Sequence, residues 1–191
     1  MRPGRLLVRA LLGLCFAALL VPFAPVLTWA LRFGMIIAVV GMALAFLMTL
    51  PTPAQQSSWD AGAAETVAGA HTVGLPDGGP GLPVLGWSTV GGDLRIPHFI
   101  GMHALQALPI LLIVLELLSR RLVVLADPVV RRRLVQVVGV AYAALVGLVT
   151  WQALRGQSVV HPDGWTLLAG AGLVIATLGA AALAARGRRP A

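Results

Sequence analysis

Residues 33–50 read FGMIIAVVGMALAFLMTL, a run of 18 residues without a charged side chain. A helix needs roughly 20 residues to cross a hydrocarbon core of about 30 Å. Only helices and closed barrels satisfy their backbone hydrogen bonds in lipid, and a long run without alternation indicates a helix. Similar runs occur elsewhere, and the predicted helices extend over 10–31, 33–50, 96–118, 134–154 and 164–185. The sequence predicts an all-α, polytopic helical membrane bundle with four or five transmembrane helices in a single domain, 1–191.

The composition favours the same class. Hydrophobic residues make up 58% of the chain and charged residues 11%, with a mean hydropathy of +0.89. A soluble domain of this composition has too little polar surface, so the predicted surroundings are the lipid bilayer. The net charge of +7 does not indicate nucleic acid, because the arginines lie in short clusters beside apolar runs. Cys15 is the single cysteine, which excludes an internal disulfide and a thiolate metal site.

The arginine clusters also predict an orientation. Positively charged loops remain on the cytoplasmic side, so the arginine-rich loop 119–133 and the C-terminus are expected to be cytoplasmic. The segment 51–95 and the loop 155–163 are then expected outside a cell membrane. Segment 51–95 is rich in glycine and proline and poor in charge, so we expect it to fold back over the outer ends of the helices as a lid or plug.

The first run conflicts with this orientation. If 10–31 crosses the membrane, then Arg2, Arg5 and Arg9 lie outside, contrary to the positive-inside rule. Pro22 and Pro25 interrupt the run, since proline breaks a helix interior. A re-entrant or interfacial segment over 6–31 is therefore the alternative to a full span.

Polar side chains converge at the predicted outer ends of two helices. His98, Met102, His103 and Gln106 fall within an arc of roughly 140° on the third helix, at 100° per residue. Polar side chains at membrane depth are costly and usually face a bundle interior or a cavity. The sequence predicts a polar pocket that binds a small ligand or ion. Its candidate residues are His98, His103, Gln106, Gln152, Arg155, Asp93 and Arg95.

Other chemistries remain open from the sequence. A membrane enzyme, or a haem or metal protein, would use His98 or His103, with His71 and Asp77 as further candidate metal ligands. A bis-histidine haem takes ligands at matched depth, usually from different helices, and His98 and His103 lie five residues apart on one helix. The i, i+4 histidine pair of zinc hydrolases does not occur here. No cofactor and no catalytic residue is assigned.

Small residues recur at four-residue spacing in the last two helices. They allow the backbones of neighbouring helices to approach closely. Packing within the chain is one interpretation; a homo-oligomer or a membrane partner, as in an assembly subunit, is the other. The positions are Gly139, Ala143 and Gly147, then Gly172, Ala176, Ala180 and Ala184.

Three strings resemble a group of uncharacterised bacterial multi-pass membrane proteins. They are PTPAQ at 51–55, AHTVGLPDGGPGLPVLGWSTVGGDLRIPHFIGMHALQALP at 70–109 and TWQALRGQS at 150–158. The resemblance covers roughly residues 30–160 and implies a multi-pass fold, without an activity or a catalytic residue. Members of that group look longer at the N-terminus, so we expect the first run here to be a truncated or replaced remnant.

Overall fold

The computed structural model of the protein describes residues 25–64 and 67–186. The described chain is helical, with one small antiparallel sheet. The elements are α1 (Pro25–Leu44), α2 (Phe46–Thr49), α3 (Pro53–Asp60), β1 (Thr72–Val73), β2 (Gly92–Asp93), α4 (Arg95–Ser119), α5 (Val123–Ala126), α6 (Pro128–Leu154) and α7 (Gly164–Ala184). The predicted all-α class is confirmed.

Four stretches of the described residues are long and apolar enough to cross a membrane. They are Pro25–Asp60, which contains α1 to α3, then Arg95–Ser119, Pro128–Leu154 and Gly164–Ala184. The ends of α4 and α7 agree with the sequence prediction to within one residue. α6 begins earlier than predicted, at Pro128, because arginine is a good helix former and continues the helix through 131–133.

The predicted boundary at Arg32, between the runs 10–31 and 33–50, is wrong. α1 is continuous from Pro25 through Arg32 to Leu44. Arginine is a good helix former, so Arg32 continues the helix rather than ending it. The remainder of the first predicted run, with Cys15 and Pro22, lies outside the described residues.

The contacts divide the described chain into two units. The first comprises 25–38, 103–142 and 175–186, and the second comprises 39–64, 67–102 and 143–174. In the first unit, α1 meets α4 at Gly34, where an added Cβ would lie 3.1 Å from the Ala104 oxygen. Gly139 of α6 faces the Phe33 ring, which an added Cβ would approach to 2.6 Å. These glycines therefore set how closely the helices of the first unit approach.

In the second unit, α1 meets α4 at Gly41. A Cβ there would lie 2.6 Å from the Met102 nitrogen and 2.7 Å from the Gly101 carbonyl carbon, both backbone atoms. The His98 ring joins the same two helices, because its Nδ1 lies 2.8 Å from the Gly41 carbonyl oxygen. The carbonyl can only accept, so Nδ1 carries the proton in this contact. Gly41 and His98 thus combine close packing with an interhelical hydrogen bond.

The small-residue faces predicted on the last two helices are used unevenly. Gly139 packs as described above, and Ala184 is buried. A methyl group on Gly147 or Gly172 would meet no described atom within 4 Å. Only Thr166 and Ala184 of the 21 residues of α7 are buried within the described chain. The partner or homo-oligomer predicted for these faces stays a prediction.

Candidate functional site

Residues 50–94, here called the connector, lead from α2 to α4 through α3. Gln55 organises its first half. Its side chain forms a capping box with Thr52, and its Oε1 and Nε2 also bond the backbone N–H and carbonyl of Gly69, each at 3.0 Å. Gly69 has a φ of 87°, and an added Cβ would lie 2.1 Å from the Met48 oxygen. Glycine is therefore required where the connector returns to the end of the preceding helix.

The second half of the connector is a hairpin that packs against the end of α6. Thr72 pairs with Asp93 and Val73 with Gly92. At Gly92, an added Cβ would lie 2.0 Å from the Ala153 oxygen, so the hairpin touches the α6 backbone directly. The Ser158 hydroxyl donates to the Ser88 carbonyl at 3.3 Å. These contacts fix the position of the hairpin on its helix.

Asp93 is the centre of the hairpin's polar contacts and is 1% exposed. Its Oδ1 accepts the Arg95 backbone N–H at 2.9 Å, and its Oδ2 accepts the Ser88 N–H at 2.9 Å and Arg95 Nη2 at 2.6 Å. Burial alone would raise the pKa of Asp93, but the hydrogen bonds from Arg95 and Ser88 outweigh it and hold the pKa below its usual range. Asp93 therefore fixes the start of α4 and the Arg95 guanidinium together.

A second carboxylate holds the other strand. Asp77 accepts the backbone N–H groups of His71, at 3.2 Å, and Thr72, at 2.8 Å. Its Oδ1 also lies 3.0 Å from His71 Nδ1. Burial alone would raise the pKa of Asp77, and the hydrogen bonds from Thr72 and His71 lower it overall. Both carboxylates thus accept hydrogen bonds from donors of the hairpin itself.

Between these two pairs lies a pocket of about 120 Å³. Its lining residues are His71, Thr72, Gly78, Gly79, Gly86, Ser88 and Arg95. Arg95 Nη2 donates to the Gly86 carbonyl at 2.6 Å, whereas Nη1 has no hydrogen-bond partner among the described residues. The Ser88 hydroxyl oxygen accepts the Val90 and Gly91 N–H groups, so its own proton remains to be donated. The side chains of Arg95 and Ser88 can therefore each donate a hydrogen bond to a ligand in the pocket.

A larger, open cleft of about 920 Å³ lies on the same connector. It is mostly apolar, and its walls include Leu47, Leu50, Leu94 and Leu154. Thr72 lines both the cleft and the small pocket. The connector thus carries one donor-rich recess and one apolar recess that share a lining residue.

The structure brings only part of the predicted site into this pocket. Arg95 lines it, as does His71, which the sequence indicates only as a metal ligand. Asp93 does not line the pocket but holds the Arg95 guanidinium that does. His98 instead bonds Gly41, and Gln152 donates from Nε2 to the Ser158 carbonyl at 2.9 Å. Both of these side chains join parts of the fold rather than line the pocket.

Arg155 is also engaged elsewhere. It forms an ion pair with Asp163, and its guanidinium lies 4.3 Å from the centre of the Trp151 ring. Asp163 also accepts the Thr166 N–H at 2.8 Å. The Arg155 hydrogen bond, with that of Thr166, holds the pKa of Asp163 well below its usual range. These contacts hold together the two ends of the connection between α6 and α7.

His103 and Gln106 are exposed, belong to the first unit and line neither the pocket nor the cleft. Within the ranges 25–64 and 67–186, no three His, Cys, Asp or Glu side chains come together as a metal-binding group. The proposed metal ligands His98, His103, His71 and Asp77 are therefore not gathered into one set of three.

Sequence reasoning missed Thr72 and Ser88. Their signal was weak: a Gly/Pro-rich stretch, 74–83, between two short segments that pair. The strands are separated by residues 74–91, so the stretch 74–83 indicates a turn without giving the register that places Thr72 opposite Asp93.

No family model, curated protein or solved structure matches this chain. The resemblance seen in the three strings therefore stays a prediction.

Proposed function

We propose that this protein is an integral membrane protein that binds a small anion, or the anionic group of a small molecule, in the pocket between His71 and Arg95. A carboxylate or a phosphate has the matching chemistry, because it accepts several hydrogen bonds and pairs with a guanidinium. The observation that carries the proposal is the Arg95 guanidinium, held on one side by Asp93 and Gly86 with Nη1 left to the pocket.

The electrostatic balance supports an anion over a cation. Asp93 and Asp77 each accept two backbone N–H groups of the hairpin, and Asp93 also forms an ion pair with Arg95. Among the lining side chains, Arg95 Nη1 and the Ser88 hydroxyl proton are donors without a partner among the described residues. A pocket of about 120 Å³ has room for roughly four waters at about 30 Å³ each, which suits an inorganic anion or one acidic group.

We expect the melting temperature of the purified protein in detergent to rise with inorganic phosphate, sulfate or short carboxylates. Arg95→Lys keeps the charge beside Asp93 but loses the guanidinium fork, and His71→Gln removes the imidazole ring that lines the pocket. Each should weaken anion binding about ten- to hundredfold, the value of one charge-assisted hydrogen bond. His161→Gln, at an exposed histidine outside the pocket, is the matched control and should bind as wild type does. If no anion shifts the wild type, or if Arg95→Lys binds unchanged, the proposal fails.

The proposed orientation places segment 51–95 and the 155–163 loop outside the cell membrane, and the 119–133 loop and the C-terminus in the cytoplasm. In a Cys15→Ser background, we expect Val84→Cys and His161→Cys to react with an impermeant thiol reagent in intact cells, since both positions are exposed. Ala126→Cys, also exposed, should react only after permeabilisation. Labelling of position 126 with protection of 84 and 161 would invert the orientation.

A further inference from the structure

The connection between α4 and α6, residues 119–133, carries a concentrated positive charge. Five arginines, at 120, 121, 131, 132 and 133, stand against one acidic residue, Asp127. The chain is continuous and described throughout this connection, which contains the single turn α5. Its charge is independent of the His71–Arg95 pocket, which lies in a different unit.

Two of these charged groups maintain the local fold. Arg131 Nη1 donates to the Leu125 carbonyl at 2.6 Å and to the Ala126 carbonyl at 3.1 Å. Asp127 Oδ1 accepts the Val129 N–H at 2.8 Å and caps the start of α6. Arg131 therefore holds the turn in place.

Arg132 and Arg133 are used differently. Both are half-buried, and neither guanidinium forms a hydrogen bond or ion pair with the described part of the chain. They line a pocket of about 300 Å³ together with Asp127 and Val129. A half-buried guanidinium without a partner leaves up to five donors unused. Two arginines against one carboxylate give the lining of this pocket a net positive charge.

Apolar side chains next to the arginines indicate where that anion comes from. Val123 is 89% exposed, and Leu122, Val124 and Val129 are also exposed. Aliphatic side chains that project beside arginines are typical of a segment seated in the membrane interface, with its apolar residues among acyl chains and its cations at the headgroups. A soluble anion would not account for these exposed valines.

We propose that Arg132 and Arg133 bind the phosphate headgroup of an anionic phospholipid, while Leu122, Val123 and Val124 lie among its acyl chains. Guanidinium groups pair with phosphate in a bidentate geometry. Basic pockets beside membrane helices bind anionic headgroups in the same way. The proposal holds for whichever membrane surface the connection faces.

The test compares two double variants with the same loss of charge. Arg132→Gln/Arg133→Gln removes both guanidinium groups from the pocket lining. Arg120→Gln/Arg121→Gln removes two arginines of the same connection that do not line the pocket. Each protein is reconstituted in nanodiscs of phosphatidylcholine with increasing phosphatidylglycerol, and bound phosphatidylglycerol is counted by native mass spectrometry. In either variant, the loss of diffuse electrostatic attraction should weaken phosphatidylglycerol binding about fivefold for each arginine removed. If the pocket is a specific site, the 132/133 variant should lose at least about tenfold more affinity for phosphatidylglycerol than the 120/121 variant.

Equal losses in the two double variants would overturn the site. Inorganic phosphate that displaces phosphatidylglycerol at millimolar concentration would also overturn it, since the pocket would then serve a soluble anion. Arg132→Lys/Arg133→Lys guards against misfolding, because it retains both charges. In the absence of phosphatidylglycerol, its melting temperature should equal that of wild type. It should nevertheless bind phosphatidylglycerol less tightly than wild type does. Full binding by this lysine variant would contradict the guanidinium–phosphate geometry.

Discussion

Replacement of Asp93 by Asn is expected to lower the free energy of unfolding by about 3 kcal/mol. The Asn side chain has one oxygen that accepts hydrogen bonds and one NH₂ group that only donates. That NH₂ group would face either the Ser88 N–H or the Arg95 guanidinium, and both of these are also donors. Breaking a buried ion pair leaves the remaining charge without compensation. We take the lower end of the usual cost because the Arg95 side chain is 31% exposed and retains some solvation. Titration with SDS in mixed micelles would measure the loss.

The same variant should also change the response to acid. The pKa of Asp93 is lower in the folded protein than its ordinary value, so its stabilisation is complete above about pH 4 and is lost as the pH falls toward the folded pKa. Wild type should therefore lose stability over this window, and Asp93→Asn should lose less. Asp60→Asn, at an exposed carboxylate, is the control. A variant as stable as wild type would mean that the Asp93–Arg95 pair does not hold the hairpin.

Gly41→Ala is expected to destabilise the protein by about 3 kcal/mol, as overpacking of a close contact does. The added methyl group would lie within 2.8 Å of three backbone atoms of Gly101 and Met102. Backbone atoms cannot rotate away as a side chain can, so α1 and α4 must separate locally. That separation also stretches the hydrogen bond between His98 and the Gly41 carbonyl. Thermal denaturation in detergent would report the loss as a lower melting temperature.

Gly147→Ala is the matched control for that substitution. It makes the same change within a helix, but the added methyl group contacts no described atom within 4 Å. Alanine favours a helix over glycine by up to about 1 kcal/mol, so this variant should be as stable as wild type or more so. If the two variants behaved alike, close packing at Gly41 would not be what limits the approach of α1 and α4.

The membrane helices were predictable because their signal is local. An uncharged run of about 20 residues indicates a membrane-spanning helix wherever it occurs in a sequence. The glycines that matter for packing were not predictable in the same way. Gly34 and Gly41 set helix approach while Gly147 does not, and this depends on which face of each helix meets a neighbour.

The candidate site was predictable only around Asp93 and Arg95. Both are candidate site residues from the sequence, and the Asp93 side chain does accept the Arg95 N–H. The strands that bring His71 to the same place are two residues each, too short for alternation to reveal. His98 was placed in the pocket because it is polar at membrane depth, but a carbonyl on α1 satisfies it. Sequence periodicity identifies a polar side chain without identifying its partner.

The exposure of α7 has a consequence for how this chain changes over evolution. With two buried residues among 21, α7 depends on its summed apolarity for insertion, and few of its side chains are held by a neighbour. Selection then acts on length and hydrophobicity, and leucine, valine, isoleucine and alanine can interchange there. The hairpin residues around Asp93 have no such freedom. Diverged descendants of this chain should therefore keep nearly the same residues in the hairpin, while the residues of α7 exchange among apolar types.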